Sequence, residues 1–178
     1  MKNITLGIIL LMVSVFAKAS LIERQLSHQS DNRWVAEYRL TNNSLSADIE
    51  EFSLYYDFGL FDNLQLVAAP DSWDDNPFID NPFQNSGFEF DGIVDFLVDF
   101  GAAGIASGET LGGFMISFDW LGQGEVADQA FEILDPATFS IIDSGTTQQV
   151  SVAEPAMMLL YLLGLIALFV PRNSRHYP

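Results

Sequence analysis

TLGGFMISFDW, residues 110–120, decides the class of fold. Phe114, Ile116, Phe118 and Trp120 fall on one side of an extended chain, and Met115, Ser117 and Asp119 fall on the other. Successive side chains leave a strand on opposite faces, so this period of two predicts a half-buried β-strand. The rhythm recurs upstream. In residues 33–40, RWVAEYRL, Trp34, Ala36, Tyr38 and Leu40 share a face, against Val35, Glu37 and Arg39. In residues 49–58, Phe52, Leu54, Tyr56 and Phe58 share one, opposed by Glu51, Ser53, Tyr55 and Asp57.

Working outward, Leu64–Val67 and Phe88–Phe100 read as further strands, and Phe131–Leu134 with Thr138–Asp143 as a closing pair joined through Asp135-Pro136. Thr41-Asn42-Asn43-Ser44 and Leu121-Gly122-Gln123-Gly124 carry turn residues. Ala69–Ser86 holds Pro70, Pro77 and Pro82 among four aspartates, which excludes a central strand and predicts a long loop. Seven to nine short strands and no amphipathic helix predict an all-β fold, an antiparallel β-sandwich of immunoglobulin-like or jelly-roll-like type, with a barrel as the alternative. The expected organisation is a signal helix at 1–19, a sandwich at 20–143, a polar linker at 144–151 and a terminal segment at 152–178.

Charge narrows the function. The chain of 178 residues carries 24 acidic against 7 basic side chains, a formal net charge of −17. No Lys or Arg occurs between residues 40 and 150. Such a surface repels phosphate backbones, so nucleic acid is excluded as a partner. A composition 49% hydrophobic supports a packed core rather than an acidic tail. With no Cys, neither a disulfide framework nor a thiolate metal site can form.

Both ends speak of export. MKNITLGIILLMVSVFAKAS, residues 1–20, has an early Lys2, an apolar run from Ile4 to Phe16 and then Ala17-Lys18-Ala19. This is the charged, apolar and small-residue order of a secretory signal peptide, with cleavage expected after Ala19. At the other end, Val152-Ala153-Glu154-Pro155 leads into an uninterrupted apolar run, Ala156 to Val170, followed by Pro171, Arg172 and Arg175. Fifteen helical residues span about 22 Å, short of a hydrocarbon core of about 30 Å, a difference that thinning and snorkelling accommodate. A helix apolar on every side does not suit a half-buried domain. The positive-inside rule leaves the short arginine-bearing end cytoplasmic and the acidic body outside.

Signal peptide, extracytoplasmic body, Glu-Pro, one apolar helix and a short basic end together resemble the PEP-CTERM sorting signal of exported proteins in Gram-negative bacteria. The resemblance implies secretion through the inner membrane, anchorage by helix 156–170 and processing by exosortase, a membrane-embedded transpeptidase that reads a Val-Pro-Glu-Pro motif. That motif falls on Val152, Ala153, Glu154 and Pro155, with Ala153 in place of the first proline, and the basic tail on Arg172 and Arg175. It further implies a cell-surface or matrix location amid exopolysaccharide or biofilm material.

Chemistry in the body is sparse. The histidines are His28 and His176, and no lysine remains after residue 18. Neither HExxH nor a phosphate-binding glycine loop is present. DSWDDNPFID, residues 71–80, offers Asp71, Asp74, Asp75 and Asp80 as oxygen ligands for calcium, without EF-hand spacing. Trp73 within it is a candidate for stacking on a sugar, or else plugs the end of the sandwich. The reading preferred from the sequence is a non-enzymatic exported protein with a structural, adhesive or exopolysaccharide-associated role. The alternative is a calcium-assisted carbohydrate-binding module, and the third is a small hydrolase using two carboxylates.

Overall fold

The structure, a computed structural model, describes residues 19–150. The signal segment, except Ala19, and the terminal segment with its motif Val152, Ala153, Glu154 and Pro155 and its Arg172 and Arg175 lie outside the described residues. Twelve strands occur in chain order: β1 (Leu21–Ser30), β2 (Arg33–Thr41), β3 (Glu51–Tyr56), β4 (Phe61–Ala68), β5 (Phe78–Asp80), β6 (Phe83–Asn85), β7 (Phe88–Phe90), β8 (Gly92–Leu97), β9 (Thr110–Trp120), β10 (Ala130–Asp135), β11 (Ser140–Thr146) and β12 (Gln148–Gln149). They form two five-stranded sheets, ordered β12-β1-β2-β9-β4 and β11-β10-β3-β8-β5, and a separate β6-β7 hairpin. All pairings are antiparallel except β1 with β12.

The alternation in the sequence becomes the two inner faces. Ala36, Tyr38 and Leu40 of β2 and Phe114, Ile116 and Phe118 of β9 point inward from one sheet. Phe52, Leu54 and Tyr56 of β3, Val94 and Phe96 of β8, and Phe131 and Ile133 of β10 meet them from the other. Phe52 lies edge-on to Phe114 with ring centroids 5.0 Å apart, and Phe96 meets the same ring at 5.1 Å. Burying each such ring contributes about 1.5–3 kcal/mol, and edge-to-face geometry adds to that. Trp34 and Trp120, which share those apolar faces in the sequence, pack against the margin of the core, half-buried.

Three sequence readings need correction. The polar linker begins too early at 144, because β11 runs on to Thr146 and β12 lies against β1, with Glu23 opposite Gln148 and Arg24 opposite Gln149. Thr147 donates its backbone N–H to Gln129 O, so polar residues here complete a ladder. The long loop at 69–86 contains β5 and β6, each beginning just after a proline. Proline is tolerated at such starts and on edge strands, and β5 is an edge. The closing strand starts at Ser140 rather than Thr138, because Asp135 Oδ1 accepts the backbone N–H groups of Ala137 and Thr138 and holds them in a turn.

Candidate functional site

Trp73 is core, not a ligand platform. It is 4% exposed, and its indole stands edge-on to Phe114 at 5.0 Å and to Phe52 at 5.8 Å. The backbone fixes it there: Trp73 bridges to Val98, Asp74 N donates to Leu97 O, and Asp99 N donates to Ser72 O. The surrounding aspartates do not form the expected calcium cage. Asp74 Oδ1 caps the N–H of Asn76 at 2.8 Å, Asp80 sits on β5, and Asp71 and Asp75 border an open depression with Asp99. Among the described residues, no three acidic or histidine side chains gather closely enough to hold a metal ion.

The exposed aromatic surface lies one step along the chain. Asn85 pairs with Phe88 and Phe83 with Phe90, which leaves Ser86 and Gly87 as a two-residue turn. Both have positive φ, 52° and 86°, as a type I′ hairpin requires, and glycine adopts that conformation without strain. The register puts Phe83, Asn85, Phe88 and Phe90 on one face of the hairpin, with Gln84 and Glu89 on the other. Phe83 and Phe90 stack at 4.8 Å and 12°, yet both remain more than 40% exposed, and Phe88 is 70% exposed. The base is pinned: Asn81 Oδ1 accepts the Leu64 N–H at 2.6 Å, and Pro82 lies where a Cβ on Gly92 would stand. The sequence signal for this element was Ser-Gly flanked by phenylalanines at alternate positions.

Two polar constellations complete the chemistry. Inside the sandwich, Arg24 is fully buried and donates to the carbonyls of Ala127 and Val126, to Gln129 Oε1 at 2.9 Å and to Asp128 Oδ1 at 2.9 Å. Gln129 Oε1 also accepts from the Tyr38 hydroxyl at 3.1 Å, which in turn meets the Tyr56 hydroxyl. Burial drives both tyrosine pKa values up, so they stay neutral donors. On the opposite face of β3, Ser53 donates to Asp95 Oδ1 at 2.6 Å and Tyr55 to Glu132 Oε2 at 2.7 Å. Glu51 is 5% exposed there, and its Oε2 has no hydrogen-bond partner. Burial, then Asp95 and Asp135, pushes its pKa up. Burial does the same to Asp95 against the Ser53 hydrogen bond.

Nucleophilic catalysis finds no assembled parts at His28. Its Nε2 lies 2.8 Å from Asp31 O, and its ring stands against Trp34 at 4.8 Å. None of the helical length needed to cross a membrane occurs among the described residues.

No protein-family model matches the chain, and no curated protein sequence is similar to it. Among solved structures, an uncharacterized protein from Nocardia farcinica with an immunoglobulin-like fold is similar at TM-score 0.50 and 14% identity, over 75% of this chain and 88% of that one. A GH20 exo-β-N-acetylglucosaminidase from Vibrio harveyi matches at TM-score 0.36 and 11% identity, over 78% of this chain but only 19% of the enzyme. At that score and coverage the enzyme lends no activity to this chain. The first likeness agrees with two facing antiparallel sheets: the described body is an all-β sandwich with an immunoglobulin-like neighbour.

Proposed function

We propose that the chain is an exported, non-enzymatic sandwich protein, delivered by a signal peptide ending at Ala19 and held in the membrane by helix 156–170 until a PEP-CTERM-like tail is processed. Its role is structural or adhesive in the envelope or in extracellular polysaccharide. The observation that carries this reading is the route of the chain out of the fold. Val150 N donates to Arg24 O as the last rung beside β1. Residues 151–154 then leave at most about 14 Å of chain before Pro155. A body fastened this closely to an apolar segment would ride on a membrane surface rather than swing on a tether. Its acidic charge is compatible with the outer side.

Intact-mass measurement on protein recovered from its own host tests the proposal. Loss of residues 1–19, together with loss of the tail beyond the motif, is the expected result. A mass that retains both ends would refute the sorting account.

A second reading is favoured by the aromatic hairpin. Three exposed phenylalanines on a pinned two-stranded platform suit the apolar face of a pyranose, with Asn85 on the same face to receive its hydroxyls. This moves the carbohydrate-binding surface from Trp73 to Phe83, Phe88 and Phe90, without calcium. Glycan-array binding that survives Phe88→Ala and Phe83→Ala would remove it.

A further inference from the structure

Asp143 is held as if for a cation that the side chains around it do not supply. It sits on β11, at the edge of one sheet, and reaches the start of β1 in the other. Its Oδ2 accepts the backbone N–H of Ser20 at 2.8 Å and the Ser44 hydroxyl at 2.7 Å, while its Oδ1 accepts the N–H of Ser144 at 2.9 Å. The Ser20 hydroxyl meets the Ser44 hydroxyl at 3.0 Å. Ser20 is 5% exposed, whereas Ala19 just before it is exposed. Ser44 is positioned in turn by Asn42, which is fully buried; its Oδ1 accepts the Leu45 N–H at 3.1 Å, and its amide group donates to Ala47 O and Ile105 O.

We propose that Asp143 and Ser44 form the seat for a new amino terminus, receiving the α-ammonium of Ser20 once the chain is cut after Ala19. The inference rests on the export reading of residues 1–19. Hydrolysis breaks the Ala19 C–Ser20 N bond with one water, leaving a carboxylate on Ala19 and an ammonium on Ser20. The nitrogen that donated a neutral N–H to Asp143 then carries a full positive charge at the same place. The bond is charge-assisted on its acceptor side before cleavage, and cleavage adds the donor's charge, turning it into a hydrogen-bonded ion pair. Precursor and mature chain would therefore share one geometry, with the mature form the more stable.

The neighbouring charges leave this role open. On β1 they are Glu23 and Arg24, and on β2 Arg39 and Glu37; Arg24 is committed to Asp128 at 2.9 Å, and Arg39 stands opposite Glu23. In the segment after β2 they are Asp48 and Glu50, which share a depression with Ile142, and on β10 they are Glu132 and Asp135, paired with Ser144 and Ser140 of β11, all carboxylates. Burial pushes the Asp143 pKa up, but hydrogen bonds from Ser44, Ser20 and Ser144 outweigh it and leave it below the usual carboxylate value. The ammonium's contribution should be complete below its unfolded pKa of about 7.7–8.0 and fade as pH rises through a higher folded value. Asp143's share should fade at the acid end, as pH falls through its lowered pKa.

The sequence itself permits a clean test. No lysine follows residue 18, so in a chain running from Ser20 to Pro178 the α-amine is the one amine available to acetylation. In detergent at pH 7, the free-amine chain should melt about 2–4 °C above its acetylated form. The gap should close in Asp143→Asn. The α-amine pKa, read from the pH dependence of the acetylation rate, should exceed about 8 in the folded chain. Equal melting of the free and acetylated chains, an α-amine pKa at or below the reference, or a gap that persists in Asp143→Asn would overturn the proposal. Amino-terminal sequencing of the exported protein addresses the reading beneath it. A first residue other than Ser20 would sink the cleavage site itself, and the physiological role with it, whatever the melting curves show.

Discussion

The hydroxyls of Tyr38 and Tyr56 meet at 3.0 Å in the middle of the sandwich, one from each sheet, with Tyr38 also donating to Gln129. This polar stitch joins the two sheets and runs on into the buried Arg24–Gln129 network. A satisfied buried hydrogen bond adds about 0.5–1.5 kcal/mol, and removing one partner exposes the desolvation penalty of the other. Tyr38→Phe should therefore lower stability by about 1–2 kcal/mol in urea unfolding. The double variant with Tyr56→Phe should cost less than the sum of the two, because they share one bond.

Arg24 should be far more sensitive. Its guanidinium serves Asp128, Gln129 and two carbonyls from full burial. Asp128 is half exposed and stays solvated without it, but Gln129 and the two carbonyls lose a donor, at about 1–3 kcal/mol for each buried group left unpaired. Arg24→Leu should lose that much and release β12, seen as faster amide exchange at Val150. Arg24→Lys should not restore it, since a single ammonium cannot reproduce the planar fork.

Glu51 runs the other way. Its pKa is raised in the folded state, so its carboxyl favours folding in acid, and that benefit is lost as pH climbs from the unfolded value of 4.5 through the folded one. Once ionised, the carboxylate keeps an oxygen buried without a hydrogen-bond partner. Glu51→Gln should raise the melting temperature at pH 7, with the gain shrinking as pH falls through the raised folded value towards 4.5. A gain independent of pH would show that charge is not its source.

Trp73 and Phe88 should separate cleanly. Trp73→Ala removes a ring packed on Phe52 and Phe114 and should cost about 3–5 kcal/mol. Phe88→Ala, from a ring 70% exposed, should leave stability within about 0.5 kcal/mol while reducing any glycan binding. Thermal unfolding of both variants checks the first statement, and a glycan array the second.

Calcium at millimolar concentration should leave the melting temperature unchanged, because Asp71, Asp74, Asp75 and Asp80 do not converge on one point. A rise abolished by EDTA would point to ligands other than these carboxylates.

The sandwich was legible where strands alternate cleanly. Trp34 to Leu40 and Phe114 to Trp120 declare their inner faces by residue type alone. It was not legible where the buried face is polar. In β1, Ile22 and Arg24 are both buried, and an arginine on the inner side hides the period of two. Its partners Val126–Gln129 and Gln149 lie more than 100 residues away, so no local pattern discloses them. Trp73 was ambiguous for a related reason. Prolines around it predict a loop, but only the backbone bridge to Val98 reveals that this loop folds back over the core. The hairpin at 83–90 was written in the sequence in Ser86-Gly87 and was obscured by the prolines before it.

The parallel run of β12 beside β1 has a mechanical side. Tension applied between the start of β1 and the chain beyond Val150 would load the rungs together with the Arg24 clasp, in shear. Peeling, which opens one bond at a time, would be the weaker geometry, and the direction of this short final strand avoids it.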